Sequence, residues 1–203
     1  MKILGVDPSL KATGYGLIEV NKFSSGTVAK WPDARHRRVT AEASFLDAAQ
    51  ANEEIAPQVG VLRQSPSRQV KLLEVGTIEP RSKDSLPNKI SKIYRHLDDI
   101  IAQYAPDVMV LEKLYAHYKH PTTACILGHA RGVMCLLCAQ RKVKLVEHSV
   151  KRIRKALLGN GNASKEQARD VVAHILKFDP GQVTLDASDA LALALGYAHL
   201  DRY

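Results

Sequence analysis

Long apolar runs are missing from this chain of 203 residues. No stretch approaches the roughly 20 apolar residues of a membrane-spanning helix, which excludes an integral membrane protein built on such helices. The opening, Met1-Lys-Ile-Leu-Gly-Val-Asp-Pro-Ser-Leu10, breaks its short apolar run with an acid at position 7. It therefore lacks the h-region and cleavage site of an export signal, and the expected location is the cytoplasm. Cysteine is scarce: Cys125, Cys135 and Cys138 are an odd set, which argues against a disulfide framework and predicts reduced thiols. Cys135-Leu-Leu-Cys138 has C-x-x-C spacing, but no second ligand pair accompanies it. It lies in the apolar, helix-like run Ala130 to Ala139, so it is expected to pack in the core. Glycine-rich phosphate loops, internal repeats and low-complexity tracts are also absent, leaving no P-loop for a nucleotide. Acid is in deficit too. Twenty-nine Lys and Arg stand against 21 Asp and Glu, a formal charge of +8. An excess of this size favours polyanions through steering and counterion release, so nucleic acid is the expected partner.

What is present reads as a soluble globular chain, 45% apolar and 25% charged, long enough to bury about 70% of its unfolded surface in one domain. Lys2 to Val6 and Gly14 to Val20 are strand candidates joined by a polar turn. From Asn21 to Gln69 the pattern dissolves into mixed charge, with Arg35-His-Arg-Arg38 and a single helical signal over Thr40 to Ala56. This stretch reads as an insertion within one domain spanning 1–203. Alternation returns at Val70 to Ile78. Ile90, Ile93, Leu97, Ile100 and Ile101 then predict a helix over Leu86 to Tyr104. Asp107 to Glu112 is a nearly continuous apolar strand ending in a carboxylate. Helices are predicted over about Thr122 to Arg141, Val150 to Leu158, Ser164 (as cap) to Lys177 and Ala187 to His199, with a strand at Lys144 to Glu147. Strands alternating with helices after an opening hairpin predict an α/β fold with a mixed sheet.

Asp7 closes one apolar strand and Glu112 closes another. If those strands are neighbours, both carboxylates emerge at one edge of the sheet. Asp186 and Asp189, three apart, share a face of the first turn of the last helix. Each has an ordinary reading: a turn at Asp7-Pro8, a Glu112–Lys113 pair, a helix cap at Asp186 or Asp189. Together they point to a cation, because carboxylates at the ends of apolar strands suffer desolvation and mutual repulsion. Oxygen ligands without Cys or His suit Mg²⁺ or Mn²⁺. Two such ions about 3.5–4 Å apart could support in-line hydrolysis of a phosphodiester, which makes a basic chain of this kind a nuclease candidate.

Four segments carry a specific resemblance. They are Ile3-Leu-Gly-Val-Asp-Pro8 with Thr13-Gly-Tyr-Gly16, Val110-Leu-Glu-Lys-Leu-Tyr115 with Gly128-His-Ala-Arg-Gly132, Lys155-Ala-Leu-Leu-Gly-Asn-Gly161 with Ala163-Ser-Lys-Glu-Gln167, and Asp186-Ala-Ser-Asp-Ala-Leu-Ala-Leu-Ala194. In order and spacing the sequence resembles the RuvC family of Holliday junction resolvases over residues 1–20 and about 70–200. The resemblance implies a ribonuclease H-like fold and two Mg²⁺ per subunit, replaceable by Mn²⁺, held by Asp7, Glu112, Asp186 and Asp189. It further implies symmetric nicking of two strands of a four-way junction by a homodimer, with a branch-migration motor as a partner. Tyr115 matches the family's stacking aromatic, and Arg154 or Lys155 and Lys165 match its basic residues near the scissile phosphate.

Three departures accompany the match. Ser9 stands where the family has glycine after Asp-Pro, the segment 21–69 replaces a short hairpin, and the chain stops at Tyr203 without a longer basic tail. His117 and His120 read as residues of a polar loop. Alternatives left open are a nucleic-acid-binding protein that keeps the fold without the chemistry, and another ribonuclease H-like nuclease, RNA-processing or transposon-linked. A sugar-kinase-like ATPase also begins with a strand ending in Asp, but would need the phosphate loops that are absent.

Overall fold

The computed structural model describes residues 1–22, 68–113 and 121–201. Met1–Asn21 with Arg68–Tyr203 forms one compact unit, apart from the segment Lys22–Ser67. The helical signal at Thr40 to Ala56 and the cluster Arg35, Arg37 and Arg38 lie outside the described residues.

In chain order the elements are β1 (Lys2–Asp7), β2 (Thr13–Lys22), β3 (Arg68–Ile78), α1 (Leu86–Tyr104), β4 (Val108–Glu112), α2 (Pro121–Arg141), β5 (Lys144–His148), α3 (Val150–Leu158), α4 (Lys165–Leu176), a single 3₁₀ turn (Pro180–Gln182) and α5 (Leu185–Leu200). The five strands form one sheet in the order β3-β2-β1-β4-β5. β1 runs antiparallel to β2 and parallel to β4, and β4 is parallel to β5, so the sheet is mixed, as predicted.

Alternation along the strands sorts the core into two layers. Ile3, Ile18, Val20, Val108 and Val110 face α3, α4 and α5. Leu4, Val6, Leu17, Met109 and Leu111 face the opposite way, onto α1 and α2 through Ile93, Leu97, Met134 and Leu137. α5 is sunk into the sheet, with Ala187, Ser188 and every residue from Ala190 to Ala198 buried. Its alanine-rich sequence permits this, since small side chains let its backbone approach the strands.

Local signals agree with the helix boundaries. Ser149 caps α3 by accepting from the Arg152 amide, and Gly159 ends it in the left-handed region at φ 75°. Ser164 and Gln167 close a reciprocal capping box on α4. α5 starts two residues earlier than expected, because Thr184 is its cap, accepting from the Ala187 amide at 3.3 Å.

The C-x-x-C pair departs from expectation. Cys138 is buried, its Sγ 3.5 Å from Met109 Sδ, but Cys135 is exposed, as is Cys125. α2 is apolar on two faces, and only one of them meets the sheet. The outer face leaves Leu136 54% and Ile126 43% exposed. Periodicity identified the helix, but its second apolar face made an outward thiol read as core.

Candidate active site

The odd-numbered positions of β1 (3, 5, 7) and the even-numbered positions of β4 (108, 110, 112) share the α5 side of the sheet. Val6 pairs with Leu111, so Asp7 and Glu112 leave the sheet at neighbouring strand ends and on the same side. Asp186 and Asp189 reach that end from the first turn of α5. The turn is seated by contact between backbones: a Cβ at Gly14 would lie 2.0 Å from the Asp186 carbonyl oxygen, and one at Gly5 2.0 Å from that of Ala190. From the β3 side, Thr77 Oγ1 meets the capping Thr184 Oγ1 at 2.7 Å. Because Thr184 caps α5, neither Asp186 nor Asp189 is needed as the cap.

The loop after Asp7 is closed by side chains rather than by glycine geometry. Thr13 Oγ1 accepts from the Ser9 amide at 3.2 Å and donates to the Ser9 carbonyl, while Ser9 Oγ accepts from the amides of Lys11 and Ala12. Ser9 is not among the described residues with positive φ, so the departure from glycine carries no backbone strain.

The electrostatics show how far the acids act on one another. Asp7 is pushed from 3.8 up to about 7, first by burial and then by the negative charges of Glu112, Asp189 and Asp186, with Lys165 opposing. Glu112 is raised by burial and by Asp189, while Lys165, Arg154 and a hydrogen bond from Asp7 pull it back. Lys165 Nζ donates to Asp189 Oδ2 at 2.5 Å, which holds the ammonium above its ordinary value. Arg154 is anchored by donating Nη1 to the Ala163 carbonyl at 2.8 Å, and its charge acts on Glu112. Lys155, one position on, is exposed.

The four predicted acids are thus drawn into one electrostatic cluster, together with Lys165 and Arg154. Their donor type, oxygen only, and their surplus of negative charge fit a hard divalent cation. As the side chains stand, no group of three or more His, Cys, Asp or Glu among the described residues is close enough to hold one. Lys165 is the cation that answers Asp189. Tyr115, His117 and His120 lie outside the described residues.

One residue of this site lies in the matched segment Gly128 to Gly132 but was given no role by the sequence. Arg131 of α2 donates through Nη1 to the backbone carbonyl of Glu112 and through Nη2 to the Glu147 carboxylate of β5. Its contacts are a main-chain atom and a residue 16 positions away, and neither leaves a signal in spacing. The arginine thus holds the Glu112 main chain, while the charged groups acting on the Glu112 carboxyl are Asp189, Lys165 and Arg154.

The model of the family "Crossover junction endodeoxyribonuclease RuvC" matches residues 56–197. The chain is 31% identical over 193 residues to the crossover junction endodeoxyribonuclease RuvC of Rhodopirellula baltica, covering 95% of this chain and 83% of that protein. It is 27% identical to the corresponding protein of Alkaliphilus metalliredigens, over 98% of this chain and 93% of that one. Among solved structures, Thermus thermophilus RuvC superposes with a TM-score of 0.70 at 18% identity, over 100% of this chain and 96% of the other. At that identity the likeness establishes a shared fold. Among the described residues, no helix is long and apolar enough to cross a membrane.

Proposed function

The chain belongs to the RuvC family of crossover junction endodeoxyribonucleases, and we propose that it resolves four-way DNA junctions by nicking two symmetric strands, with Asp7, Glu112, Asp186 and Asp189 as its catalytic acids. The observation that carries the site assignment is the gathering of four acids from three separate elements, β1, β4 and α5, at one end of the sheet in a chain of charge +8.

These acids would hold Mg²⁺, two ions per subunit by family analogy, with Mn²⁺ able to substitute. Bound there, divalent ions supply the positive charge that polarises a phosphodiester and favours attack by water. The chain's own residues do the rest. Burial and mutual repulsion leave Asp7 holding a proton up to about pH 7, so filling the site requires that proton to leave. Lys165, paired with Asp189 Oδ2, holds an ammonium at the acid end that would meet a phosphate oxygen, while Asp189 Oδ1 is the oxygen left for a cation. Arg154, fixed by the Ala163 carbonyl, adds a second positive group beside Glu112. Lys155 extends this basic edge toward solvent, and Tyr115, three residues beyond Glu112, is assigned to stacking at the junction centre, worth about 1–3 kcal/mol per base.

Symmetric nicking requires two sites related by a twofold axis, hence a homodimer. The outer face of α2, with Ile126, Leu136, Cys135 and the open positions Gly128 and Gly132, supports that reading. Acting on DNA, the protein is assigned to the cytoplasm, with a branch-migration motor as a working partner on family grounds.

The test is incubation with a synthetic four-way junction, the matched duplex and an RNA–DNA hybrid, in Mg²⁺, Mn²⁺ and EDTA, with the cuts mapped. Paired symmetric nicks confined to the junction, absent in EDTA, are expected. A junction bound but left intact in both metals would make this a binding protein, and cutting of the hybrid would move it to RNA processing.

A further inference from the structure

β4 and α2 are joined by a contact that the catalytic reading does not use. Along β4 the last pairing with β1 is Val6 with Leu111, and on the β5 side the Lys113 amide donates to the His148 carbonyl at 2.8 Å. The carbonyl of Glu112 lies between these two points, just past the end of its pairing with β1. Arg131 reaches it from α2, on the sheet face opposite α5, while the other end of the same guanidinium takes the Glu147 carboxylate. Arg131 is only 11% exposed, and Glu147 is 41% exposed.

The planar guanidinium fork is pre-organised to join two acceptors at a fixed separation. Here it ties the ends of β4 and β5 together from behind the sheet. The Glu112 side chain points the other way, to the α5 side, by alternation. Fixing the Glu112 main chain fixes the origin from which its carboxylate is aimed at Asp7 and Asp189.

We propose that Arg131 is a positioning residue for Glu112, so that the divalent-cation affinity of the acid cluster depends on a side chain that touches none of the carboxylates in it. The inference rests on the reading of the four acids as ligands. Residues that orient ligands in this indirect way typically change metal affinity about 10–100-fold when removed.

The experiment titrates Mn²⁺ into the full-length protein and follows free Mn²⁺ by electron paramagnetic resonance, for the wild type, Arg131→Met, Arg131→Lys and Glu147→Gln. Arg131→Met is expected to weaken binding by about 10–100-fold and to raise the Mg²⁺ concentration for half-maximal junction cutting in parallel. Junction binding in EDTA should be unchanged. Arg131→Lys, which keeps the charge but not the fork, and Glu147→Gln, which keeps an acceptor for one prong but removes its charge, should fall between. A lower melting temperature with an unmoved Mn²⁺ midpoint would mean a structural role only and would overturn the inference. If Arg131→Met does not fold, unmoved midpoints in both Arg131→Lys and Glu147→Gln overturn it equally. A wild type that takes up no Mn²⁺ and cuts no junction would instead remove the reading of the acids, and this inference with it.

Discussion

The two faces of the sheet both carry an apolar core but differ at the end that holds the acids. On the α1 and α2 side, large side chains fill the space between layers: Leu4, Leu17, Met109 and Leu111 from the strands meet Ile93, Leu97, Met134 and Leu137 from the helices. On the α5 side the strands present glycine beneath the first turns of the helix, and backbone meets backbone. The first face gains stability from buried apolar volume. The second gives up volume so that a helix bearing two acids can sit against the strand ends bearing two more. Both faces carry an apolar core, and the electrostatic repulsion is confined to the end of the α5 side where the four acids gather.

The sharpest way to break this contrast is Asp7→Asn. It should lower junction cutting by about 10²–10³-fold, the scale expected for removing one preorganised charge, while junction binding survives. On stability the same change should act in the opposite direction. The carboxyl of Asp7, raised from 3.8 to about 7, contributes stability that is full below pH 3.8 and lost as pH rises through about 7. For an isolated group that rise corresponds to about 4 kcal/mol, an upper bound here because four coupled acids share the repulsion. In EDTA, wild-type melting temperature should fall between pH 5 and pH 8, and the Asn variant should show a flatter profile and melt higher at pH 8. Parallel profiles would show that the acid end of the sheet is not under repulsion.

Leu97→Ala on the other face should act on stability alone. Leu97 is fully buried, and its truncation should cost about 2–5 kcal/mol in denaturant unfolding. The cutting rate per folded molecule should stay near that of wild type. A lost rate at retained fold would mean that the α1 side also shapes the site. Gly14→Ala tests the opposite construction, because it adds volume where none is available. With the Asp186 carbonyl 2.0 Å from the new Cβ, about 1–3 kcal/mol or more should be lost. Cutting should drop beyond the folded fraction, since the turn that carries Asp186 must shift.

Much of this was legible in the sequence because it follows from period and end position. Lys2 to Val6 and Asp107 to Glu112 are apolar strands that each end in a carboxylate, which places Asp7 and Glu112 at one edge of the sheet once the strands are neighbours, and a spacing of three places Asp186 and Asp189 together. The cap at Ser164 and the stop at Gly159 are short-range chemistry, equally readable. Contacts without a local pattern stayed hidden. Lys165 to Asp189 spans 24 residues and Arg131 to the Glu112 carbonyl spans 19. The thiol of Cys135 was misplaced for a related reason, since apolar periodicity does not say which of two apolar faces of α2 meets the sheet.

That second face of α2 gives the smallest effect and the one most sensitive to context. A Cβ at Gly128 or at Gly132 would meet nothing within 4 Å in the isolated chain. Glycine inside a helix is about 1 kcal/mol less favourable than alanine, so Gly128→Ala and Gly132→Ala should each stabilise a monomer by up to that amount. If the face packs on a second copy, the same methyl groups enter a contact that small residues had kept close. Sedimentation at several concentrations, read beside thermal melts, separates the two cases. Weaker self-association together with a higher melting point at low concentration is expected. It would identify the glycines as residues kept for a partner surface at the expense of the helix itself. Unchanged association with the same stabilisation would move the twofold axis off α2 and leave the acid end of the sheet to be paired through another surface.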